Sequence, residues 1–355
     1  MQADRPLKKA KKKRPIREAD AAPAVEQAEG ERPESDRAEP EDKGIKPRTN
    51  PPVPATRASG AGFDTFLRWL DEPQPVLRLE FIRIFAPLAT LGFMSSRLRH
   101  TDEWLTPVGF QVPEIAGGDW RQPLYLSPLS TTTAWLLAAV MVLSGLALSA
   151  GFKSRVSALI FAATLAYVAL ADRLAAFTVS KLSPAVMLAL AAAPIGSRFS
   201  VDAWLRKKRD PKAILPSLVA GGSVRFFQLL MPIFYFSSAW AKTKGDWLSH
   251  NLVLWTHVHD SYQTGFSWAL ANALPAFMWT FFQYLVHALE LGAPLWFSLR
   301  RTRPVALLLA VGMHAMIGLM FWPVRWFSLL MISMWLGAFL PETWLTRWAE
   351  RGKQF

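Results

Sequence analysis

Eight apolar runs dominate this sequence, near residues 77–95, 132–150, 155–172, 179–196, 224–242, 273–298, 304–322 and 326–341. Each approaches the ~20 residues that a helix needs to cross the hydrocarbon core of a bilayer. The runs are continuous rather than alternating, which argues against the strands of a membrane barrel. The expectation is an all-α polytopic membrane protein, a bundle of about eight transmembrane helices. Composition agrees: 51% of the chain is hydrophobic and only 19% is charged, and the 16 Trp suit interfacial belts. The 179–196 run is the weakest of the eight on its own.

The loops between the runs set the orientation. With the N-terminus inside, the inner loops hold Lys153 and Arg155, then Arg198, Arg206, Lys207, Lys208, Arg209 and Lys212, then Arg300, Arg301 and Arg303. Outer loops hold Asp102, Glu103, Glu114, Asp119, Asp246 and Asp260 among fewer basic residues. The positive-inside rule therefore predicts N-in and C-in, and with them a bacterial cytoplasmic (inner) membrane and Lys242 near the outer face. Dropping the 179–196 run would put the basic 198–212 loop outside, so the charges support keeping it. The net charge of +13 gathers in these short loops and in the N-terminal tail, a topological pattern rather than a nucleic-acid footprint.

Residues 1–60 are charged and Pro-rich, with no Trp, Phe or Tyr, and are expected to be a disordered tail. Its cluster from Lys8 to Arg17 is either a solvated tail or a contact with anionic lipid. No apolar stretch in it resembles a cleavable signal peptide. Residues 61–76 read as an amphipathic lead-in carrying Phe63, Phe66, Leu67 and Trp69. The transmembrane domain is expected over 61–345, with a short basic tail over 346–355. The chain has no cysteine, which excludes disulfides, thiolate catalysis and Cys-ligated zinc.

Polar residues inside the runs point to a site. Ionisable groups at membrane depth tend to face the bundle interior and mark function. Gln228, Tyr235, Ser238 and Lys242 share one face of the fifth helix by their spacing, and Gln283, His287 and Glu290 share one face of the sixth. The seventh run carries His314, and the first carries Glu80 and Arg83 at i,i+3 spacing, a pair able to neutralise itself. The alternative is a structural polar network. Lys242 must snorkel, pair or lose its proton, and a desolvated amine can act as a base near neutral pH. Lys242 lies ~27 Å from the inner start of its helix and His314 ~15 Å from the start of its own, so no direct bond between them is expected. Two metal readings compete: His287-x-x-Glu290 with His314, and His257-x-His259-Asp260; neither spacing is a strong signature, and no metal is expected.

At these residues the chain resembles the horizontally transferred transmembrane (HTTM) domain family, the membrane portion shared with vitamin K-dependent gamma-carboxylase. The resemblance covers roughly residues 63–340. It is carried by Tyr235-Phe through Ala241-Lys242 to Asp246-Trp247-Leu248. Arg83, Ser200-Val201-Asp202, Glu290 before Pro294, and His314 followed by Phe321 and Phe327-Ser328 support it. The resemblance implies that Lys242 is a base toward a reduced naphthoquinone of vitamin K or menaquinol type, which oxygen then converts to an epoxide. It implies His314 and Glu290 as further catalytic candidates. Tyr235, Ser238, Gln228, His287 and Arg83 are the candidates for binding the quinol.

Three departures qualify it. The stretch Thr178-Val179-Ser180-Lys181 has no histidine where the carboxylase has one, and Ile317 stands where the family has an asparagine. The sequence also lacks the large soluble domain with which the carboxylase grips its protein substrate. Carboxylation by this chain alone is therefore not expected, and a membrane or soluble partner protein would have to replace that domain. The alternative to a quinol enzyme is a non-enzymatic scaffold or assembly partner. A solute transporter is a third, weaker reading: no paired interrupted helices mark an inverted repeat, though Pro232 and Pro275 could kink their spans.

Overall fold

The computed structural model describes residues 61–109, 114, 124–172, 177–341, 343–345 and 347. The expected disordered tail over 1–60 lies outside them, as does nearly all of 346–355. The fold is almost wholly helical. Helix α1 (Ala61–Asp71) leads through strand β1 (Gln74–Pro75) into α2 (Leu77–Leu98) and α3 (Thr101–Leu105). Helices α4 (Thr131–Ala150), α5 (Ser154–Ala171), α6 (Thr178–Ala192) and α7 (Val201–Arg209) follow, then strand β2 (Leu218–Val219) and α8 (Gly221–Thr243). Short helices α9 (Asp246–Ser249), α10 (Val253–Val258) and α11 (Gly265–Ala273) precede α12 (Ala276–Leu291), α13 (Ala293–Ser298), α14 (Arg303–Met320) and α15 (Arg325–Phe339).

Seven of the eight apolar runs each fall on a single helix, and the sixth is divided. By length and composition, α4, α5 and α14 can cross a membrane alone, and α11 with α12 adds a fourth if that bent pair is one span. These helices make the chain a membrane protein. The other runs fall short for visible reasons. Helix α2 carries Arg78, Glu80, Arg83 and Arg97, and α8 carries Arg225 and Lys242. Helices α6 and α15 have 15 residues each, ~22 Å of rise against the ~30 Å of a hydrocarbon core.

The sixth run, read as one helix over 273–298, is corrected by the structure. Leu274 is extended before Pro275, as a residue preceding proline prefers, so α11 ends there and α12 starts at a bend of 114°. Gly292 then separates α12 from α13.

Local signals account for most other boundaries. Ser130 caps α4 through Thr133 N, and Gly151 ends it at φ 74°. Ser200 caps α7, whose first turn holds Asp202 and whose last holds Arg206, Lys207, Lys208 and Arg209, matching the helix dipole at both ends. The main core lies between α2, α4, α5, α6, α8 and α15, with Phe161, Phe227, Met231 and Trp335 fully buried. A smaller core of Val258, Ala271, Trp279 and Met320 lies under the α10–α11 segment.

Buried charge locks one end of the bundle. Arg83 donates to Glu80 at 2.6 Å, to the carbonyls of Leu148 (2.8 Å) and Ser149 (2.6 Å) at the end of α4, and to the Phe199 carbonyl at 2.8 Å. Glu80 in turn accepts from the backbone of Ser197 and Arg198. Asp202 accepts from Lys153 N and Ser154 N, so the loops before α5 and α7 meet here. Strands β1 and β2 pair antiparallel at this end. Arg225 beside them bonds Glu72 and the Trp69 carbonyl, with its guanidinium over the Trp69 ring, which docks α1 on α8.

Candidate functional site

At the far end of α8, Lys242 is the last residue but one of the helix. Its Nζ donates to Glu290 Oε2 of α12 at 2.6 Å and lies 4.7 Å from the centre of the Trp247 ring. The Glu290 side chain is 8% exposed and that of Lys242 25%. Of the three options open to a lysine at this depth, the protein uses pairing, reinforced by an aromatic face.

This pair forms one wall of a cavity of about 450 Å³ between α12 and α14. The rest of the lining is apolar, including Trp279, Phe282, Met313 and Ile317. Its size is that of a small-molecule site, with few polar groups in an apolar shell. Gly312 faces this space: a Cβ there would meet nothing within 4 Å.

The short helices α9 and α10 are held over the cavity by Gln283. Its Nε2 donates to the carbonyls of Trp247 (2.5 Å) and His250 (2.9 Å), and its Oε1 accepts from Leu254 N. Trp247 Nε1 returns a bond to the Gln283 carbonyl at 3.2 Å. Gln283 is thus a clamp for the segment that carries Trp247, not a ligand-facing group.

Of the residues expected at the site, Lys242 and Glu290 meet on the cavity wall. His287, on α12 one turn before Glu290, is buried but is not part of the lining. Ser238 is half-buried one turn before Lys242 and does not line it either. Tyr235 and His314 form a separate buried patch. Their rings are 5.9 Å apart, with Trp335 4.7 Å from Tyr235 and Phe327 5.5 Å from His314. Among the described residues, neither ring nitrogen of His314 has a hydrogen-bond partner.

Two expected ligand residues prove structural. Gln228 lies 14 residues before Lys242, ~21 Å along the helix, and bridges Arg225 Nη1 to the Ala338 carbonyl. Arg83 is consumed by Glu80 and the three carbonyls of the opposite end. Neither lines the cavity; each satisfies backbone carbonyls at a helix end.

No group of three potential metal ligands comes together among the described residues. Glu290 is taken by Lys242, and the Nδ1 atoms of His257 and His259 each lie 2.7 Å from a carbonyl of their own segment. Missed at the sequence level were Trp279, Gly312 and Met316, all lining residues. The i,i+4 pair Gly312 and Met316 left a readable trace, a small and a flexible residue on one face of α14.

A helical membrane protein with a charged pair set into an apolar cavity is the class these features define. The chain belongs to the HTTM domain family, whose model matches residues 80–344. This is the family the sequence resembles. No curated protein and no solved structure matches the chain.

Proposed function

We propose that the cavity beside Lys242 and Glu290 binds a reduced naphthoquinone and that Lys242 serves as the base that accepts a proton from its hydroxyl. The observation that carries this reading is the 2.6 Å pair on the wall of an otherwise apolar cavity of about 450 Å³. The donor set fits the group: a flat aromatic ring matches the Trp279 and Phe282 side of the lining, and one polar pair faces its hydroxyl.

The pairing defines how Lys242 would work. An ammonium held by a carboxylate is no base, yet in an apolar site the ion pair and the neutral amine–acid pair differ by one proton moved along a short hydrogen bond. To act as a base, Lys242 would have to give its proton to Glu290, its 2.6 Å partner, and turn the freed lone pair to the quinol hydroxyl. The quinol, once bound, supplies the acidic hydroxyl and the electrons, and molecular oxygen is the oxidant in the epoxidation that the likeness to gamma-carboxylase implies. Glu290 stores the proton, Trp247 holds the amine in place, and the apolar lining excludes water. His314, Tyr235, His287 and Ser238 act around this site without lining it.

We further propose the finer topology: eight spans, N-in and C-in, in a bacterial inner membrane with Lys242 near the outer face. The domain then spans 61–345 between a charged N-terminal tail and a short basic C-terminal one. A partner protein would supply any grip on a protein substrate.

The deciding experiment is oxygen-dependent epoxidation of a reduced naphthoquinone by purified protein. Wild type is expected to turn over and Lys242→Ala to lose turnover, and an unchanged rate in the mutant would end the proposal. The scaffold reading draws on Arg83, Gln228 and Gln283, whose side chains serve helix ends and loops. It predicts that Lys242→Ala lowers thermal stability while no turnover is found in either protein.

A further inference from the structure

The turn between α4 and α5 marks where two spans leave the membrane, since both helices are long and apolar enough to cross it. Residues 199–204 pack against that turn. Asp202 N donates to the Gly151 carbonyl at 2.9 Å, and the Asp202 carboxylate accepts from Lys153 N at 2.8 Å and from Ser154 N at 2.9 Å. A Cβ on Gly151 would collide with Ser200, so the two segments meet at close range. Helix α7 therefore starts at the level where hydrocarbon gives way to headgroups.

Three aromatic rings stand out from this rim: Phe152, Phe199 and Trp204 are 43%, 55% and 59% exposed. Rings at this depth sit well between acyl chains and water. Two of them carry a cation. Lys153 Nζ lies 5.9 Å from the centre of the Phe152 ring, and Lys208 Nζ lies 5.3 Å from that of Trp204. The rim is also a fixed surface. Phe199 and Lys153 hold φ 48° and 43°, a region that side chains of their size rarely adopt, so their surroundings must keep them there. Phe199 gives its carbonyl to Arg83 at 2.8 Å, and Lys153 gives its N–H to Asp202. In both residues the backbone group is bonded inward while the side chain is exposed.

The last turn of α7 adds Arg206, Lys207, Lys208 and Arg209, all exposed. Among the described residues none of the four pairs with a carboxylate. The helix dipole favours cations there, and so does retention of positive loops on one side of the membrane. Neither effect calls for exposed rings, or for a strained backbone that presents them.

We propose that this rim is a docking surface for anionic phospholipid, with α7 lying in the headgroup layer of the leaflet at this end of the bundle. Charge complementarity selects the occupant: the α7 cations and Lys153 meet lipid phosphate, while the three rings enter the acyl boundary. A soluble acidic partner would satisfy the cations and leave the rings without an apolar phase.

The test uses purified full-length protein in dodecyl maltoside, titrated with dioleoylphosphatidylglycerol or dioleoylphosphatidylcholine, with bound lipid counted by native mass spectrometry. Wild type is expected to bind the anionic lipid at least about fivefold more tightly, since one cation near an anionic surface contributes about that factor. Lys207→Gln with Lys208→Gln is expected to lower that affinity at least about fivefold and leave the zwitterionic lipid unchanged. Trp204→Ala keeps every charge and is expected to weaken the anionic lipid by a smaller factor. Arg300→Gln with Arg301→Gln removes two exposed cations outside the rim and is expected to change nothing. Equal binding of both lipids by wild type overturns the inference, as does an equal loss from the two double variants, which would make the charge diffuse. Unchanged binding by Trp204→Ala overturns it too, because the rings would then take no part. Displacement of the anionic lipid by soluble polyglutamate at matched charge would assign the surface to a soluble acidic partner instead.

Discussion

Lys242 and Glu290 are 48 positions apart, and each is conspicuous alone as an ionisable residue in an apolar run. What the sequence could not reveal was that they neutralise one another. That pairing replaces a lone amine in an apolar run by a hydrogen-bonded pair of opposite charges. It also allows a double-mutant cycle. Glu290→Gln strands a half-buried ammonium and is expected to cost about 1–3 kcal/mol, below the fully buried case because Lys242 keeps some contact with solvent. Lys242→Met with Glu290→Met is expected to regain most of that stability and still lack turnover. Thermal unfolding read beside quinol oxidation checks both, and an active double mutant would remove the pair from the chemistry. Gly312 gives a second residue-scale prediction. Its missing Cβ costs helix α14 about 0.5–1 kcal/mol relative to alanine, yet a Cβ there meets no neighbour. Gly312→Ala should raise the unfolding temperature, and Gly312→Leu should fill the cavity and cut turnover. If both leave turnover untouched, the cavity is not where the substrate sits.

At the scale of elements, the runs and their order were legible, because an apolar stretch in a bilayer must satisfy its own backbone and so must be a helix. The lead-in was legible too: α1 forms over Ala61–Asp71 with Phe63, Phe66 and Leu67 exposed along it. The site's depth was not. Counted from Pro275, Glu290 lies 15 residues into its helix, ~22 Å from the start, yet it meets the last turn of α8. The two helices are therefore staggered, and the first turns of α12 project past the end of α8. The small helices α9, α10 and α11 pack around that projection, and Gln283 binds three of their backbone groups. Helix periodicity places Gln283 on a face with Glu290 but carries no information about a loop that folds back over it. Gln283→Ala is expected to destabilise this layer by about 1–3 kcal/mol through the orphaned groups of Trp247, His250 and Leu254. Limited proteolysis should then open residues 246–260 while the α2–α6 core stays protected. Uniform protection would show that the layer holds without the clamp.

For the whole molecule, the two ends of the bundle differ in charge. One end gathers the loops before α5 and α7 through Asp202 and Arg83, and brings Arg303 over Phe339 beside the Arg78 bond to Ala338. Its loops hold Lys153, Arg155, Arg198, Arg206, Lys207, Lys208, Arg209, Arg300 and Arg301. The other end has Asp102 bonded to Trp135 Nε1, Asp246 at the start of α9, and Asp260. Because retention of positive loops on the cytoplasmic side sets orientation, the basic end should face the cytoplasm and the Lys242 cavity should open near the outside. The natural absence of cysteine makes this directly measurable, since any single introduced thiol is the only one in the chain. Ser249→Cys and Ser261→Cys, in the segment from α9 to α11, are expected to react in intact cells with a maleimide that cannot cross the membrane. Lys207→Cys, on exposed α7, should react only after permeabilisation. The reverse pattern would invert the protein and place the proton-accepting pair on the cytoplasmic side. Labelling of all three in intact cells would mean that α8, which alone separates Lys207 from Ser249, does not cross. The basic loop and the cavity would then share one side, and the N-in, eight-span topology would be wrong.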